Sequence, residues 1–384
     1  MFGVQGQFLC AIFVDGKELP IQLGGFEEIL VVENTMMFVP QFRMSIYDGS
    51  GIMDSVRAIV DGTPISIMIG RSSGDQADLK RFEFRSFGPP QHSVAGGRTL
   101  YRIAGVADAM KYLRGAAQGG LKGRSSEVIE KIAADCGLTP NADRTNDEMT
   151  WLFGQRTYSS LAAYIAQHGW VDNKSMMALG LRADKTLIYR NLARLVREEP
   201  KAVFYSGAKP GSGNGPMIHT ISYDIKSTAG VRNAMFGYGS VAVEQKLDGT
   251  TSRMESTNVT LFSDNVEMNA DVKKDVGRVR TPYIAPDVGN THEKFQTAKY
   301  QNRQALSTFG TAVETLHQEG CNASLLDTVD FYIAPGGNES LATNYNGRYI
   351  VTAKVRCISG QQYFEKHKLM TQGRQADASG DLVG

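Results

Sequence analysis

Short segments in which apolar and polar residues alternate recur along residues 1–113, and turn residues separate them. One segment, 38–47, alternates around Phe42 and Met44 and ends at the dipeptide Asp48-Gly49. Successive side chains of a strand point to opposite faces, so this pattern predicts β-strands with one buried face. The same reasoning predicts three further strands and one loop rich in glycine and proline: strands at 64–69, 82–87 and 99–106, and the loop at 88–97. Many short strands joined by turns are typical of a β-barrel or a sandwich.

Residues 114–200 have a different pattern, which predicts a compact α+β unit inserted after the first barrel. Ser125 is the predicted N-cap of a first helix, with Glu127 in the first turn, where the helix dipole favours a negative charge. Gly137 is its predicted end. One face of this helix is apolar, with the positions Val128, Ile129, Ile132, Ala133 and Cys136.

A second helix and a hairpin complete the predicted unit. Ser159 or Ser160 is the predicted N-cap, and Gly169 is the predicted end. The buried stripe of this helix is predicted at Leu161, Tyr164, Ile165 and His168. Short strands are predicted over 170–189, with a turn at Asp184-Lys185.

The segment 201–370 predicts a second β domain. Its predicted strands are at 202–205, 218–225, 329–333, 349–355 and 363–370. Apolar residues at helical spacing predict one long helix over about 292–319, closed by Gly320. These apolar positions are Phe295, Ala298, Ala305, Leu306, Phe309, Val313 and Leu316. Two polar stretches complete the segment and the chain: an insertion at about 245–290 and a flexible tail at 371–384.

The order of a strand, a polar glycine-containing loop and two further strands occurs twice, within 65–106 and within 329–370. This repetition predicts two related barrel domains, although generic hairpins can resemble each other by chance, and the sequence leaves both interpretations open. The overall fold class predicted is therefore α+β and mainly β.

The composition argues against several classes of function. Apolar residues make up 42% and charged residues 21%, which is an ordinary globular balance. Lys and Arg number 41 against 40 Asp and Glu, with no polybasic run, which argues against a nucleic-acid-binding protein. The apolar stretch 8–14 is too short to span a bilayer, so we expect a soluble chain made in a cytoplasm, without membrane insertion.

No catalytic, cofactor-binding or metal-ligating residue is predicted. Gly70-Arg71-Ser72-Ser73-Gly74 matches the nucleophile-elbow pattern, but a polar connection to another strand follows it where the elbow requires a helix. The glycine-rich stretch 211–215 precedes a strand and lacks lysine, so it does not predict a phosphate site. The six histidines never occur at i, i+4 spacing. The 4 cysteines, predicted to be reduced, are scattered without a CxxC pair: Cys10, Cys136, Cys321 and Cys357.

The order of several short motifs resembles the hub proteins of contractile injection machines. That family includes phage baseplate hubs, late-control tail proteins and the hub portion of type six secretion spikes. The helix motif Ser125-Ser126-Glu127-Val128-Ile129 and the later Tyr158-Ser159-Ser160-Leu161 are similar to the family's inserted segment. The final motif, Asn346-Gly347-Arg348-Tyr349-Ile350-Val351, is similar to its closing portion. The pieces in this order cover most of the chain.

The resemblance implies an architecture and a role. It implies two similar β-barrel domains with small α+β inserts, and a homotrimer that forms a pseudo-six-fold ring. Such a ring would join a six-fold tail tube to a three-fold central spike in the baseplate of a virion assembled in the host bacterial cytoplasm. The implied partners are the tail tube protein or tube initiator, the spike protein and other baseplate proteins, with DNA only as passing cargo. The implied role is not enzymatic and needs no cofactor.

Two alternatives from other classes stay open at this point. One is a phage or bacterial hydrolase of ester or cell-wall substrates, which would use Ser72 or a carboxylate pair that converges in the fold. The other is a receptor- or glycan-binding module at a tail tip.

Overall fold

The computed structural model describes residues 2–4, 8–20, 25–35, 37, 39–49, 51–55, 58–71, 80–95, 98–172, 175–211, 215–227, 241–245, 252–256, 291–295, 298–299, 301–302, 311–334, 345–360 and 362–371. Its first elements are β1 (Phe2–Val4), β2 (Phe8–Val14), β3 (Lys17–Glu18), β4 (Phe26–Asn34), β5 (Gln41–Asp48), α1 (Ile52–Ser55), β6 (Pro64–Arg71), β7 (Lys80–Ser86), β8 (Gln91–Ala95) and β9 (Arg98–Ala107).

An α+β unit follows, as predicted. It contains α2 (Met110–Arg114), β10 (Gly120–Gly123), α3 (Ser125–Cys136), β11 (Thr139–Ala142), β12 (Met149–Leu152), α4 (Tyr158–His168), β13 (Met177–Leu181), β14 (Thr186–Asn191) and α5 (Leu192–Leu195). The remaining strands are β15 (Val203–Ser206), β16 (Met217–His219), β17 (Ser222–Ser227), β18 (Val241–Gln245), β19 (Ser252–Ser256), β20 (Thr311–His317), β21 (Thr328–Ile333), β22 (Gly347–Ser359) and β23 (Gln362–Thr371).

Helix α3 lies where the sequence predicts it, but its N-cap is Arg124 and not Ser125. The backbone N–H of Arg124 donates to Glu127 Oε2 (3.0 Å), and that of Ser125, the first helical residue, donates to the buried carboxylate of Asp147 (2.9 Å). A distant carboxylate therefore replaces the predicted local cap. Gly137 ends the helix in the left-handed conformation with φ 69°, which confirms that prediction.

The N-cap of helix α4 lies two or three residues before the predicted caps. Thr157 is its N-cap and accepts a hydrogen bond from Ser160 N (3.3 Å), so Ser159 and Ser160 are helical residues. The predicted end at Gly169 is confirmed, and so is the hairpin, because β13 and β14 pair as antiparallel strands around a turn in which Lys185 has φ 65°.

Among the described residues, sixteen strands form one sheet. Its longest path runs β1-β2-β6-β7-β9-β5-β4-β22-β21-β15-β16, with β3, β8, β17, β20 and β23 attached beside it. All first-segment strands lie on one side of β22, and the strands β21, β15 and β16 of the last segment lie on the other.

Strand β22 belongs to both parts of the sheet. Its first residues pair with β21, whereas Ala353–Ser359 pair with Asn34–Glu28 of β4. A register shift between Val351 and Ala353 separates the two parts, and β23 follows β22 along its other edge. The chain's last segment therefore extends the sheet that its first segment begins.

The prediction of one long helix over about 292–319 is wrong for its C-terminal part. Thr311–His317 is a strand, β20, hydrogen-bonded to β17 on one side and β23 on the other. Its side chains are buried with the period of a strand, and alternate residues Thr311, Val313 and Thr315 are β-branched, which suits a central strand. Helical conformation occurs earlier, at Phe295, 298–299 and 301–302, and the intervening predicted positions lie outside the described residues.

Two other expectations need correction. The segment 88–97, predicted as a loop, contains β8, which pairs with β9. The residues Gln91–Val94 are all exposed, so their composition does not indicate a strand. They form one because β9 supplies hydrogen-bonding partners for their backbone. Thr371, predicted as the start of the tail, is the last and buried residue of β23.

Some predictions fall on residues outside the described part of the chain. These are the tail at 372–384, the nucleophile-elbow residue Ser72, most of the glycine-rich stretch 211–215 and most of the polar stretch 245–290. Within the last, β19 pairs with β18 as an antiparallel hairpin.

The buried apolar residues form four clusters that cross the predicted boundaries at 113 and 200. The first-segment cluster includes Ile358 and Tyr363 from the end of the chain and Ala183 from the inserted unit. A second fills the inserted unit, a third lies within the last segment, and a fourth joins Leu192 and Leu195 to Leu325. The chain is α+β and mainly β, as predicted, while the closure and kinship of two barrels stay a prediction.

Candidate functional site: a buried charged junction

Four charged side chains are buried where β4, β22 and β23 run side by side. They are Glu33, Lys354, Arg356 and Glu365, and each is less than 7% exposed. Glu33 is the Cα partner of Lys354, and Arg356 is the partner of Glu365. Because residues two apart in a strand share a face, the register alone places all four on one face of the sheet. We call this group the charged junction.

The charges of the charged junction balance in pairs. Arg356 Nη1 lies 3.2 Å from Glu33 Oε1, and Lys354 Nζ lies 3.0 Å from Glu365 Oε2. Two cations and two anions give no net charge. A buried pair is tolerated when its remaining polar atoms are hydrogen-bonded, whereas an unpaired buried charge is costly.

Neighbouring groups complete the hydrogen bonding of the charged junction. Glu365 accepts from Tyr363 Oη (2.6 Å) and from Cys321 N (2.9 Å). Lys354 Nζ donates to the carbonyl oxygens of Cys321 (2.8 Å) and Ala323 (2.9 Å). The turn after β20 is therefore held by the charged junction as well as by its own backbone.

The pKa values follow from this pairing. Burial alone would raise the pKa of the two carboxyl groups, but the Arg356 guanidinium and the Lys354 ammonium hold the pKa of Glu33 and Glu365 below the usual range. Burial lowers the pKa of Lys354, and the carboxylate of Glu365 opposes that effect. Both carboxyl groups are thus ionised partners of the buried cations at neutral pH.

The tip of the β13–β14 hairpin connects the inserted unit to this region. Ala183 N donates to Glu33 Oε1 (2.8 Å), and Arg182 Nη2 donates to Asp327 Oδ1 (2.8 Å). Lys185 pairs with Glu83 of the first segment. The hairpin tip thus contacts strands from both ends of the chain.

Two cavities lie next to the charged junction, with volumes of about 400 Å³ and about 290 Å³. They share Lys80, Phe82, Asn322 and Arg356 in their walls. The larger one is lined by residues of β6 and β7 on one side and by the turn 319–322 on the other. It therefore opens between the first and last segments of the chain.

The thiol beside the charged junction and that of Cys10 in β2 both have raised pKa values. Burial raises the pKa of the Cys321 thiol to about 11 and that of the Cys10 thiol to about 12. All four cysteines are free, as predicted. Ser72 lies outside the described residues, but the strands before and after it, β6 and β7, pair as an antiparallel hairpin, which is not the strand-to-helix geometry of a nucleophile elbow.

The fold brings together histidines that lie far apart in the sequence. His317 and His367 are buried with ring centroids 5.4 Å apart. His168 stacks on Phe295 at 3.8 Å, which confirms it as a core residue, and His292 Nε2 lies 3.0 Å from the His168 carbonyl oxygen. His92 and His219 are exposed.

One group of side chains has the composition of a metal site. The thiol of Cys321, the carboxylate of Glu365 and a ring nitrogen of His367 all lie within 4.8 Å of one another. Sequence reasoning missed this group and the charged junction. The available signal was the spacing of Lys354 and Arg356 within an apolar strand, two residues apart.

Two tail proteins are among the solved structures that are similar to this chain. A tail protein from Neisseria meningitidis MC58 superposes with a TM-score of 0.60 at 12% identity, over 96% of this chain and 99% of that one. The 43 kDa tail protein of prophage MuSo2 from Shewanella oneidensis gives 0.61 at 9% identity, over 95% and 100%. No family model and no curated protein sequence matches the chain.

The class defined by these observations is a mainly β chain with the fold of tail proteins. The resemblance to tail proteins seen in the sequence motifs is thereby confirmed at the level of the fold. Within the described part of the chain, no helix is long and apolar enough to cross a membrane.

Proposed function

We propose that this chain is a structural subunit of a phage-type tail, the hub at the base of a contractile tail. The observation that carries the proposal is the shared fold, which extends over almost the whole length of this chain and of two tail proteins. A match over whole chains favours a shared architectural role more strongly than a match limited to one domain would.

The proposed hub is a homotrimer with two related barrel domains in each chain, built on the segments 1–113 and 201–370. Three chains then present six similar positions to a tail tube protein or tube initiator, and three identical positions to a central spike. A closed ring of this kind requires heterologous contacts that return on themselves. Other baseplate proteins surround it, and DNA passes through as cargo.

The interior of the chain suits a part that carries load. The β4–β22 pairing joins the first and last segments through backbone hydrogen bonds, and the charged junction and the hairpin tip at Arg182–Lys185 add buried polar contacts there. Such contacts fix one relative arrangement of the strands, because shifting the register by one residue would bury unpaired charges. The proposed function is mechanical and involves no catalytic turnover.

The test is the mass and symmetry of the native particle. Light scattering on the purified full chain is expected to give three times the chain mass of 41.9 kDa. In a mixture with the tube and spike partners, each complex is expected to contain three copies of this chain. Electron microscopy is expected to show a three-fold ring with six similar lobes. A chain that stays monomeric in the presence of both partners, or a ring of another order, would overturn the proposal.

An enzyme assay separates the hub from the hydrolase alternative. Ester and cell-wall substrates are offered to the wild-type chain and to Ser72→Ala. The hub proposal expects no turnover by either, whereas activity that disappears with Ser72→Ala would support the hydrolase. Glycan binding without affinity for the tube protein would instead support the receptor-binding alternative.

A further inference from the structure

Three buried side chains, one of which belongs to the charged junction, offer a sulfur, an oxygen and a nitrogen ligand. Cys321, Glu365 and His367 are 4%, 3% and 0% exposed, and their ligand atoms lie within 4.8 Å of one another. Glu365 and His367 share a face of β23 because they are two residues apart, and Cys321 comes from the turn after β20. Thiolate, imidazole and carboxylate are the side-chain ligands of protein-bound zinc.

His367 provides an independent indication of a ligand. Its ring is completely buried, yet neither ring nitrogen has a hydrogen-bond partner of acceptable geometry. Phe204 and His317 pack against the ring, with centroids 5.0 Å and 5.4 Å away. The Ala323 backbone lies close to the ring, and His367 Nε2 lies 3.7 Å from Glu365 Oε2, which is longer than a hydrogen bond. Buried polar atoms are nearly always satisfied, and an unsatisfied one in a native structure calls for an explanation such as a bound ion.

The Cys321 thiol has one contact that favours metal binding. Burial raises the pKa of the thiol to about 11, and the backbone N–H of Ala323, which donates to Cys321 Sγ at 3.1 Å, partly opposes that effect by stabilising a negatively charged sulfur. The cavity of about 400 Å³ is lined by both Cys321 and Glu365, so an ion can enter from that side, and a water molecule can complete its coordination.

We propose that Cys321, Glu365 and His367 form a binding site for a borderline divalent cation of the zinc type. The bound ion connects the turn after β20 to β23, and binding releases the thiol proton to solvent as the metal–sulfur bond forms. This proposal departs from the sequence-based expectation of no metal ligands.

The charged groups around the site set its selectivity. The ammonium of Lys354 shares the Glu365 carboxylate with the ion, and Arg356 lies 4.0 Å from the other carboxylate oxygen. These cations repel every divalent ion. Hard ions such as Ca²⁺ or Mg²⁺ depend on several carboxylates, and the site offers only that of Glu365. A thiolate ligand compensates for part of the added positive charge, so the site selects ions that bind sulfur.

Metal content measured on the full-length chain tests the proposal. The protein is stripped with a chelator, equilibrated with Zn²⁺, freed of excess metal and analysed by mass spectrometry. We expect about one zinc ion per wild-type chain, as for other sites with three protein ligands. Cys321→Ser and His367→Gln are expected to reduce the zinc content to that of the buffer, whereas Cys357→Ser, which changes a half-buried cysteine outside the site, keeps it.

A cobalt spectrum of the wild-type chain decides the matter if the variants fail to fold. Co²⁺ in the proposed site is expected to give a thiolate-to-cobalt charge-transfer band and the visible bands of tetrahedral cobalt. A wild-type chain that retains no zinc, a cobalt complex without the thiolate band, or a folded Cys321→Ser variant with unchanged zinc content would each overturn the proposal.

Discussion

The charged junction shows how much one buried residue can matter in this chain. Glu33 is 1% exposed, accepts from Ala183 N and from Ser324 Oγ (3.3 Å), and pairs with Arg356. Glutamine at this position keeps the acceptor for Ala183 but removes the charge. Arg356 then retains only Glu365, whose nearest oxygen is 4.0 Å away.

Glu33→Gln is therefore expected to lower the free energy of unfolding by about 3 kcal/mol, because it leaves a buried guanidinium without its closest partner. Denaturant unfolding monitored by circular dichroism measures the loss. Glu83→Gln is the matched control, since its carboxylate is 43% exposed while it pairs with Arg81 and Lys185, and its cost is expected to stay below about 1 kcal/mol. Equal losses in the two variants would contradict the assigned role of the charged junction.

His168 makes stability depend on pH. Burial lowers its pKa from 6.5 to about 4, although the Phe295 carbonyl, which its Nδ1 contacts at 3.0 Å, favours the protonated ring. The unfolded chain therefore binds more protons than the folded chain between these two values. The contribution of neutral His168 is complete above pH 6.5, decreases as the pH falls, and is exhausted below about pH 4.

Unfolding experiments at several pH values test this dependence. His168→Gln keeps a donor for the Phe295 carbonyl but does not titrate, so its free energy of unfolding should fall less than that of the wild type between pH 6.5 and 4. The expected difference is about 3 kcal/mol. His92→Gln, a change on the exposed strand β8, should follow the wild-type curve. Parallel curves for wild type and His168→Gln would show that His168 is not held neutral.

At the scale of the element, helix ends depend on single backbone positions. Gly137 has φ 69°, and a Cβ placed there would meet no atom within 4 Å. Gly137→Ala therefore introduces backbone strain without a steric clash, and we expect a loss of about 1 kcal/mol in unfolding free energy. Gly49, which has equally open space and no left-handed backbone, is the control: Gly49→Ala should cost nothing measurable. Similar losses for both would refute the left-handed assignment.

Elements with local determinants could be predicted from the sequence, and those with distant determinants could not. Gly137 ends its helix through a left-handed backbone conformation, which is a local determinant, and the turn at Asp184-Lys185 is equally local. The backbone of Gly169 is extended, and the Tyr189 hydroxyl occupies the place of a side chain there, so its determinant is distant. By contrast, 311–317 has apolar residues at a spacing that fits either a helix or a strand. Its assignment as β20 depends on hydrogen bonds to β17 and β23, and no property of the segment alone specifies them.

At the scale of the whole molecule, the same distinction explains why the candidate site was missed. Strand β4 meets β22 across more than three hundred residues of sequence, and a charged residue in an alternating strand is ordinarily exposed. The burial of the charged junction therefore could not be predicted from the sequence. It follows from the strand register, which places its four residues between two sheet segments. The resemblance of ordered motifs to a family predicted the overall fold better than any single segment predicted its own structure.

The β4–β22 pairing can be tested by a disulfide bond between the first and last segments. Leu30 is the Cα partner of Cys357, and both side chains are half-buried on the same face of the sheet. Directly opposed residues of antiparallel strands have Cβ atoms about 5 Å apart, close enough for a disulfide after a small adjustment. Leu30→Cys is therefore expected to cross-link to Cys357 under mild oxidation, and non-reducing electrophoresis detects the closed loop as a faster band.

Two controls must not give this band. One is Leu30→Cys combined with Cys357→Ser, and the other is Val31→Cys, whose side chain points to the opposite face. The contrary result is a Leu30→Cys chain that stays reduced while its circular dichroism spectrum is unchanged. That result would mean that the first and last segments do not share a sheet in this register. The proposed hub depends on this rigid connection, so the result would count against the hub as well.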